Sequence, residues 1–255
     1  MSAGATDPRM SATMLKYQIS LIFLAVLLAG IACSTKVKNL DTPEGTMAEA
    51  ERLFDDEFFD EARTQFYRIK TEFPSSPYQA QADLRVADSY FKEESFSVAA
   101  TSYEEFVKTY PGNDKLPYAL YRMGLSFANQ MPSNVQRDSR ATRRAADTFT
   151  RLLVDYPNCE YVDEAQKQVD RAQSELAEKI YEIGRFYEKK EDFLAAAKRY
   201  GEVADVYSDQ KIAEESFARQ IKMLRSGGQG EQADELSKIF QTRYPSSEFR
   251  TMIRP

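Results

Sequence analysis

The side chains that most often carry enzyme chemistry are scarce in this chain. Its 255 residues contain no histidine and only two cysteines, Cys33 and Cys159. Without an imidazole there is no histidine base for a serine or cysteine nucleophile and no histidine metal ligand, and two cysteines cannot form a four-cysteine zinc site. Carboxylates are abundant, but they fall on the expected solvent faces of amphipathic helices. We therefore expect a non-enzymatic protein with no catalytic residues, no metal and no cofactor.

One glycine-rich segment could suggest phosphate-loop chemistry. Gly227-Gly228-Gln229-Gly230 lacks the Lys-Ser/Thr that would follow in such a loop, and no strand pattern precedes it. A turn between two helices is the better interpretation. A net charge of −6 also argues against general nucleic-acid binding.

Cys33 is the one residue whose surroundings predict a covalent modification. Lys16 and an apolar run from Ile19 to Ala32 precede it. About fourteen apolar residues are too few to span a bilayer but suit a signal peptide, which we assign to residues 1–32. The ending Gly30-Ile31-Ala32-Cys33 resembles a bacterial lipobox, in which the cysteine is lipidated and becomes the mature N-terminus, although Gly30 replaces the usual leucine.

Lipidation of Cys33 would attach the chain to a membrane. Ser34 stands where an aspartate tends to signal retention at the inner membrane, so the resemblance implies the periplasmic face of the outer membrane. Residues 33–45 would then be the lipidated cysteine and a flexible tether. An ordinary signal peptide followed by a chance cysteine is the alternative, and Cys159 is expected to be an ordinary turn residue.

The elements that must position any binding residues are helices, because one pattern recurs five times. An aromatic residue followed by proline, or once by serine, closes each copy: Phe73-Pro74, Tyr110-Pro111, Tyr156-Pro157, Tyr207-Ser208 and Tyr244-Pro245. Twelve residues before the last member of each pair stands an alanine: Ala62, Ala99, Ala145, Ala196 and Ala233. Alanine allows close approach of a neighbouring backbone, and an aromatic four residues later fills the adjacent space in all but the fifth copy.

This pattern resembles the tetratricopeptide repeat, a helix-turn-helix unit of about 34 residues. The resemblance covers the chain from Thr46 onward and implies an all-α solenoid of five units. The spacing is irregular in two places. Unit three carries an insertion, assigned to residues 129–144, and unit four gains about fourteen residues without proline or glycine. We predict one long first helix in unit four, from near Val162 to about Lys189, which joins repeats 1–3 (46–157) to repeats 4–5 (158–255).

The repeat register also predicts which residues face the concave groove, since first helices line that surface in tetratricopeptide arrays. In the N-terminal repeats this set is aromatic, apolar and acidic: Met47, Phe54, Leu84, Asp88, Phe91 and Tyr121. In the C-terminal repeats it includes Arg185, Lys222 and Arg225. We expect the first set to bind an extended peptide and the second to dock an acidic protein surface. Packing of the aromatics between helices is the alternative.

Five repeats behind a lipobox, Tyr121-Arg122-Met123-Gly124-Leu125-Ser126 in unit three, then Arg137-Asp138 and a long fourth-unit helix resemble the BamD family of outer-membrane β-barrel assembly lipoproteins. The resemblance runs from Ala48 to Pro245. It implies a periplasm-facing adaptor that contacts the transport domains of BamA through its C-terminal repeats and nascent outer-membrane proteins through its N-terminal ones, beside other assembly lipoproteins. Arg199 matches a family arginine near the BamA-facing region. A pilotin-type lipoprotein that escorts a secretin or pilus component is the alternative.

Overall fold

The computed structural model describes residues 40–131 and 139–254. The predicted signal peptide, Cys33 and most of the tether lie outside the described residues, as does the middle of the predicted insertion, including Arg137 and Asp138. Within the described ranges, no helix is both long enough and apolar enough to cross a membrane.

The described residues form ten α-helices and a final 3-10 turn, with each helix packed on the next along the chain. They are α1 (Pro43–Asp55), α2 (Phe59–Glu72), α3 (Gln79–Lys92), α4 (Phe96–Thr109), α5 (Leu116–Ala128), α6 (Arg140–Asp155), α7 (Val162–Lys189), α8 (Phe193–Val206), α9 (Ala213–Ser226), α10 (Gly230–Arg243) and the 3-10 turn Glu248–Thr251. The all-α repeat solenoid is therefore confirmed. The predicted insertion 129–144 extends into the first turn of α6.

The aromatic-proline pairs end the second helix of each pair as predicted. The C-cap residues are Phe73, Tyr110, Tyr156, Tyr207 and Tyr244, and each main-chain N–H donates to the carbonyl four residues earlier. Where proline follows, it stands just beyond this last hydrogen bond, where its missing N–H costs nothing and its ring prevents another helical turn.

Small residues and aromatic rings interlock between paired helices. Ala62, Ala99, Ala145, Ala196 and Ala233 are almost completely buried. A Cβ atom added to Gly124 of α5 would lie 2.6 Å from the Phe149 ring of α6, and one added to Gly184 of α7 would lie 2.8 Å from the Tyr200 ring of α8. Each glycine thus accommodates the aromatic residue that follows the repeat alanine by four.

The first helix of unit four is unusually long, as the sequence predicted. Helix α7 has 28 residues, about 42 Å at 1.5 Å per residue. Ala165 and Val169 belong to a core cluster shared with α3 to α6, whereas Ala177 and Ile180 belong to one shared with α8 to α10. One helix therefore contributes to two of the three hydrophobic cores of the described residues.

Candidate functional site

A cleft of about 760 Å³ opens among α3, α5 and the turn that precedes α7. First helices of neighbouring units form two of its walls, and the repeat register predicts that first helices face the concave surface. Its lining combines apolar, aromatic and charged side chains, among them Leu84, Arg85, Asp88, Tyr118, Glu160 and Tyr161. Such a mixture suits an extended polypeptide, because apolar walls bind side chains and a few polar groups fix orientation.

Asp88 organises the floor of the cleft. Tyr103 Oη donates to Asp88 Oδ1 at 2.6 Å, and Tyr118 Oη donates to the same oxygen at 2.8 Å. Arg85 lies 3.5 Å from the other carboxylate oxygen and also pairs with Glu51 at 3.0 Å. The buried carboxylate therefore has charged and neutral donors, as a buried charge requires.

The two phenols keep their protons at neutral pH. Burial, followed by the negative charge of Asp88, raises the pKa of Tyr103 and of Tyr118 well above the usual value near 10. On the cleft rim, burial and a hydrogen bond with Glu160 raise the pKa of Tyr161 to about 12. These side chains act as hydrogen-bond donors and packing surfaces, with no proton to exchange near pH 7.

Aromatic stacking shapes the wall towards α7. The ring of Tyr121 stacks on that of Tyr161, with centroids 4.6 Å apart and an angle of 11° between the planes. The next residue of α5, Arg122, contacts the preceding unit. Its guanidinium carbon lies 3.6 Å from the Phe91 ring centroid, and its Nε donates to Tyr103 Oη at 3.3 Å. The wall is therefore held by contacts between successive units.

Four of the six predicted groove residues are buried. Met47, Phe54, Leu84 and Asp88 are 4%, 8%, 7% and 3% exposed, whereas Phe91 and Tyr121 are half-buried. The rings of Phe54 and Phe59 pack edge-on with their centroids 5.5 Å apart, and the Arg85 guanidinium carbon lies 4.9 Å from the centroid of the Phe54 ring. Leu84 and Asp88 line the cleft, while Met47 and Phe54 belong to the core of the first unit.

A second polar network crosses the first helices of the C-terminal repeats. Arg219 of α9 donates to Glu215 at 2.8 Å and to Glu188 of α7 at 3.0 Å. Tyr181 Oη donates to Glu215 at 2.7 Å, and Tyr200 Oη donates to Glu188 at 2.6 Å. This Arg219 network resembles the contacts of Asp88. Tyr103 and Tyr200 occupy the same repeat position, and each donates to a carboxylate on a first helix.

The predicted docking arginines and lysine lie in separate environments. Arg185 is exposed and pairs with Glu182 at 2.8 Å, and Arg199 of α8 pairs with Glu202 at 2.9 Å. Lys222 lies 3.9 Å from Glu188, at the edge of the Arg219 network. Arg225 pairs with Asp234 at 2.7 Å and donates to the carbonyls of Ile253 and Arg254. Arg225 therefore holds the C-terminal segment against the last units.

The repeat register does not place Tyr118, Tyr161 or Arg219 in the groove, and only the family resemblance includes Arg122. Tyr118 and Arg122 stand four apart on α5, so a shared face was readable from spacing. Their contacts with Asp88 and Phe91 depend on the angle between units, which spacing alone does not give. Among the described residues, no group of three or more acidic or cysteine side chains is placed to hold a metal ion.

Comparison with known proteins identifies a family whose members match most of this chain. The model of the YfiO family, described as an outer membrane lipoprotein, matches residues 41–239. The outer membrane protein assembly factor BamD of Rickettsia prowazekii is 26% identical over 231 residues, covering 90% of this chain and 92% of that protein.

Two further relatives have the same name. The BamD of Neisseria meningitidis serogroup A is 27% identical over 217 residues, covering 82% of this chain and 81% of that protein. The BamD of Vibrio cholerae is 25% identical over 237 residues, covering 89% and 98%. Because the family model matches well over half of its residues, this chain belongs to the YfiO family of outer membrane lipoproteins.

Proposed function

We propose that this chain is a non-enzymatic, lipid-anchored adaptor of the complex that assembles outer-membrane β-barrel proteins. Family membership over residues 41–239 is the observation that carries the proposal. The names of the relatives support a role in outer-membrane protein assembly. In this proposal residues 1–32 are removed, Cys33 is acylated, and the repeats face the periplasm.

The N-terminal repeats, residues 46–157, bind segments of nascent outer-membrane proteins in the cleft, to which the turn before α7 contributes Tyr161. Tyr118, Tyr161 and Leu84 offer aromatic and aliphatic surface, and Arg85 and Asp88 offer polar contacts. Of the other predicted groove residues, Met47 and Phe54 belong to the core of the first unit. Phe91 and Tyr121 are half-buried against Arg122 and Tyr161.

The C-terminal repeats, residues 158–255, dock the transport domains of BamA. Arg185, Arg199 and Lys222 are partly exposed cations that an acidic partner surface would approach. Arg225 acts through the C-terminal segment that it anchors. Binding of both partners by one chain holds a substrate strand close to the insertion machinery and so raises its effective concentration there. No covalent chemistry is needed.

Peptide titration tests the cleft. We would measure, by fluorescence anisotropy, binding of an extended peptide with a C-terminal aromatic residue to the full chain in detergent. Tyr118→Ala and Tyr161→Ala, whose rings line the cleft, should each weaken binding about tenfold, as expected for aromatic contacts worth about 1.4 kcal/mol. Phe186→Ala is the matched control, because Phe186 is 57% exposed on α7 and does not line the cleft. Equal affinities of all four proteins, with helicity retained, would remove the cleft from the proposal.

Charge reversal tests the docking surface. Arg185→Glu and Arg199→Glu should reduce the yield of BamA in the purified complex, because each puts an acidic group where an acidic surface is expected. Arg171→Glu is the control, since Arg171 is exposed on the N-terminal part of α7 and pairs only locally, with Glu175 at 3.3 Å. An undiminished yield with the first two variants would refute this assignment.

A further inference from the structure

Three arginines occupy the same position on the first helices of three units. Each is the seventh residue of its helix: Arg85 of α3, Arg122 of α5 and Arg219 of α9. Each also lies over an aromatic ring on the first helix of the preceding unit. The distances from guanidinium carbon to ring centroid are 4.9 Å to Phe54, 3.6 Å to Phe91 and 5.6 Å to Tyr181, respectively. The surroundings of the three side chains are therefore directly comparable.

Two of these arginines have carboxylate partners. Arg85 lies 3.0 Å from Glu51 and 3.5 Å from Asp88. In the Arg219 network, the guanidinium donates to two glutamates, at 2.8 Å and 3.0 Å. A partly buried guanidinium has lost some of its hydration, and these carboxylates supply both opposite charge and hydrogen-bond acceptors in its place. Arginine at this repeat position is therefore accompanied by acidic groups in units two and five.

Arg122 lacks such a partner. Within the described parts of the chain, its one hydrogen bond runs from Nε to Tyr103 Oη at 3.3 Å, and no carboxylate oxygen lies within 4 Å of its guanidinium nitrogens. Asp88 attracts it from a greater distance, but the oxygens of Asp88 already face Tyr103, Tyr118 and Arg85. An arginine carries five N–H donors. Those on both terminal nitrogens of Arg122 are therefore available to a ligand.

The Arg122 guanidinium stands beside the cleft and is oriented before a ligand binds. Tyr118, one helical turn earlier on α5, lines the cleft, and its ring centroid lies 5.9 Å from the guanidinium carbon. Stacking on Phe91 and the hydrogen bond to Tyr103 fix the guanidinium plane. Arg122 is half-buried, so part of the side chain remains accessible. Preorganisation of this kind lowers the entropic cost of binding.

We propose that Arg122 binds a carboxylate of the polypeptide that lies in the cleft. The paired donors of a guanidinium match the two oxygens of a carboxylate, and Arg85 and Arg219 have carboxylate partners at the same repeat position. A C-terminal carboxylate and an aspartate or glutamate side chain share this chemistry. The assignment rests on the peptide-binding function proposed above, and it adds an acidic group of the ligand to the aromatic contacts with Tyr118.

Three matched peptides test the carboxylate site. An extended peptide that ends in an aromatic residue and has no other acidic group would be prepared with a free C-terminal carboxylate and with a C-terminal amide. The third peptide is the amide with one internal glutamate. Fluorescence anisotropy would measure binding of each to the full chain in detergent. We expect a carboxylate-containing peptide to bind the wild type about tenfold more tightly than the plain amide.

Arg122→Gln should abolish this preference and leave the affinity for the plain amide unchanged. Arg151→Gln is the matched control and should keep the preference, because Arg151 is exposed on α6 and pairs with Asp155 at 3.2 Å. A preference for the free C-terminus assigns the C-terminal carboxylate, and a preference for the internal glutamate assigns a side-chain carboxylate. Equal binding of the three peptides by the wild type would overturn the proposal. Arg122→Gln that weakens all three by one factor would also overturn it, since a structural role gives that result.

A small ligand separates failure of this site from failure of the cleft. Saturation-transfer NMR would follow millimolar N-acetylphenylalanine, which carries a carboxylate, and its amide in the presence of the full chain. If none of the peptides binds but the acid binds the wild type and not Arg122→Gln, the carboxylate site stands without the peptide-binding function. If neither the peptides nor the acid bind, both are overturned. Peptide binding that is the same with and without a carboxylate overturns the Arg122 assignment alone.

Discussion

At the scale of single residues, the turns inside four units share one unusual backbone position. Five residues before the repeat alanine, Glu57, Glu94, Glu191 and Gly228 have φ values of 64°, 59°, 58° and 80°. Glycine adopts this left-handed region freely, whereas a residue with a Cβ is strained there by about 1 kcal/mol. Unit five therefore uses the residue that the turn prefers, and units one, two and four tolerate glutamate.

Glycine at the second of these turns should stabilise the protein. Glu94→Gly should raise the free energy of unfolding by about 0.5 kcal/mol, because relief of strain exceeds the added freedom of the unfolded chain. Glu105→Gly is the matched control on the exposed face of α4, where glycine should cost about 1 kcal/mol. Urea unfolding monitored by circular dichroism measures both. Destabilisation by Glu94→Gly would show that the turn carries no relievable strain.

The contact between Gly124 and Phe149 gives a prediction of the opposite sign. Gly124→Ala should lower the free energy of unfolding by about 1–3 kcal/mol, because the new methyl group would lie 2.6 Å from the Phe149 ring. Gly112→Ala is the control, since a Cβ at Gly112 meets nothing within 4 Å. Thermal melts of the two variants should therefore differ. A Gly124→Ala protein as stable as wild type would contradict the close packing between α5 and α6.

Residue-scale spacing predicted the interlocking small and aromatic positions well, but it predicted the groove surface less fully. A repeat register tells which way a side chain points and does not tell how closely the next unit approaches it. The register predicts Phe54 on the groove surface, but its ring is covered by Phe59 and Arg85 and packs in the core of the first unit. The pairing of Arg122 with Phe91 likewise follows from the angle between units, which no single repeat encodes.

At the scale of elements, the Arg219 network ties α7 to α9. Partial burial alone would raise the pKa of Glu215, but hydrogen bonds from Tyr181 and Arg219 hold it below its usual value. A lowered carboxyl pKa in the folded state contributes stability that is complete above the unfolded pKa, near 4.3. That contribution disappears as the pH falls through the folded-state pKa.

Replacement of this carboxylate should therefore have an effect that depends on pH. Glu215→Gln should cost about 1–2 kcal/mol at pH 7, where a charged hydrogen-bond acceptor is lost. The difference from wild type should shrink as the pH is lowered below about 4, because Glu215 of the wild type is then protonated as well. Urea unfolding across this pH range measures the difference in the free energy of unfolding, with Glu214→Gln as the neighbouring control. A difference that stays constant with pH would contradict the network.

The ends of the helices could be predicted from the sequence because residues at or next to each end determine them. Aromatic-proline pairs stop α2, α4, α6 and α10, and the absence of proline from residues 162–189, with no glycine before Gly184, allows α7 to continue to Lys189. The cleft was less readable because three elements distant in sequence build it. The turn before α7 contributes Cys159, Glu160 and Tyr161 to a wall that the register of the first helices does not include.

At the scale of the whole molecule, α7 is the physical link between the two cores. A repeat array is stabilised by contacts between neighbours, so an intact α7 should couple unfolding of the N-terminal and C-terminal repeats. Ser174 is exposed midway between Val169 and Ile180, where α7 passes from one core to the other.

Ser174→Pro should break this coupling. Proline inside a helix costs about 3 kcal/mol or more, since it removes a hydrogen bond and clashes with the preceding turn. We expect calorimetry to show two separate transitions for Ser174→Pro and one for both wild type and the Ser174→Ala control. A single transition at unchanged temperature in the proline variant would show that α7 does not couple the cores.

The most direct test of the adaptor role is recovery of the native partners. The full lipidated chain would be affinity-purified from detergent-solubilised envelopes, and the co-purifying chains would be identified by mass spectrometry. Our proposal predicts a large barrel protein with periplasmic transport domains, retained by wild type and depleted by Arg185→Glu and Arg199→Glu. Recovery of a secretin or pilus component in its place would contradict the assembly role and indicate a pilotin-type lipoprotein.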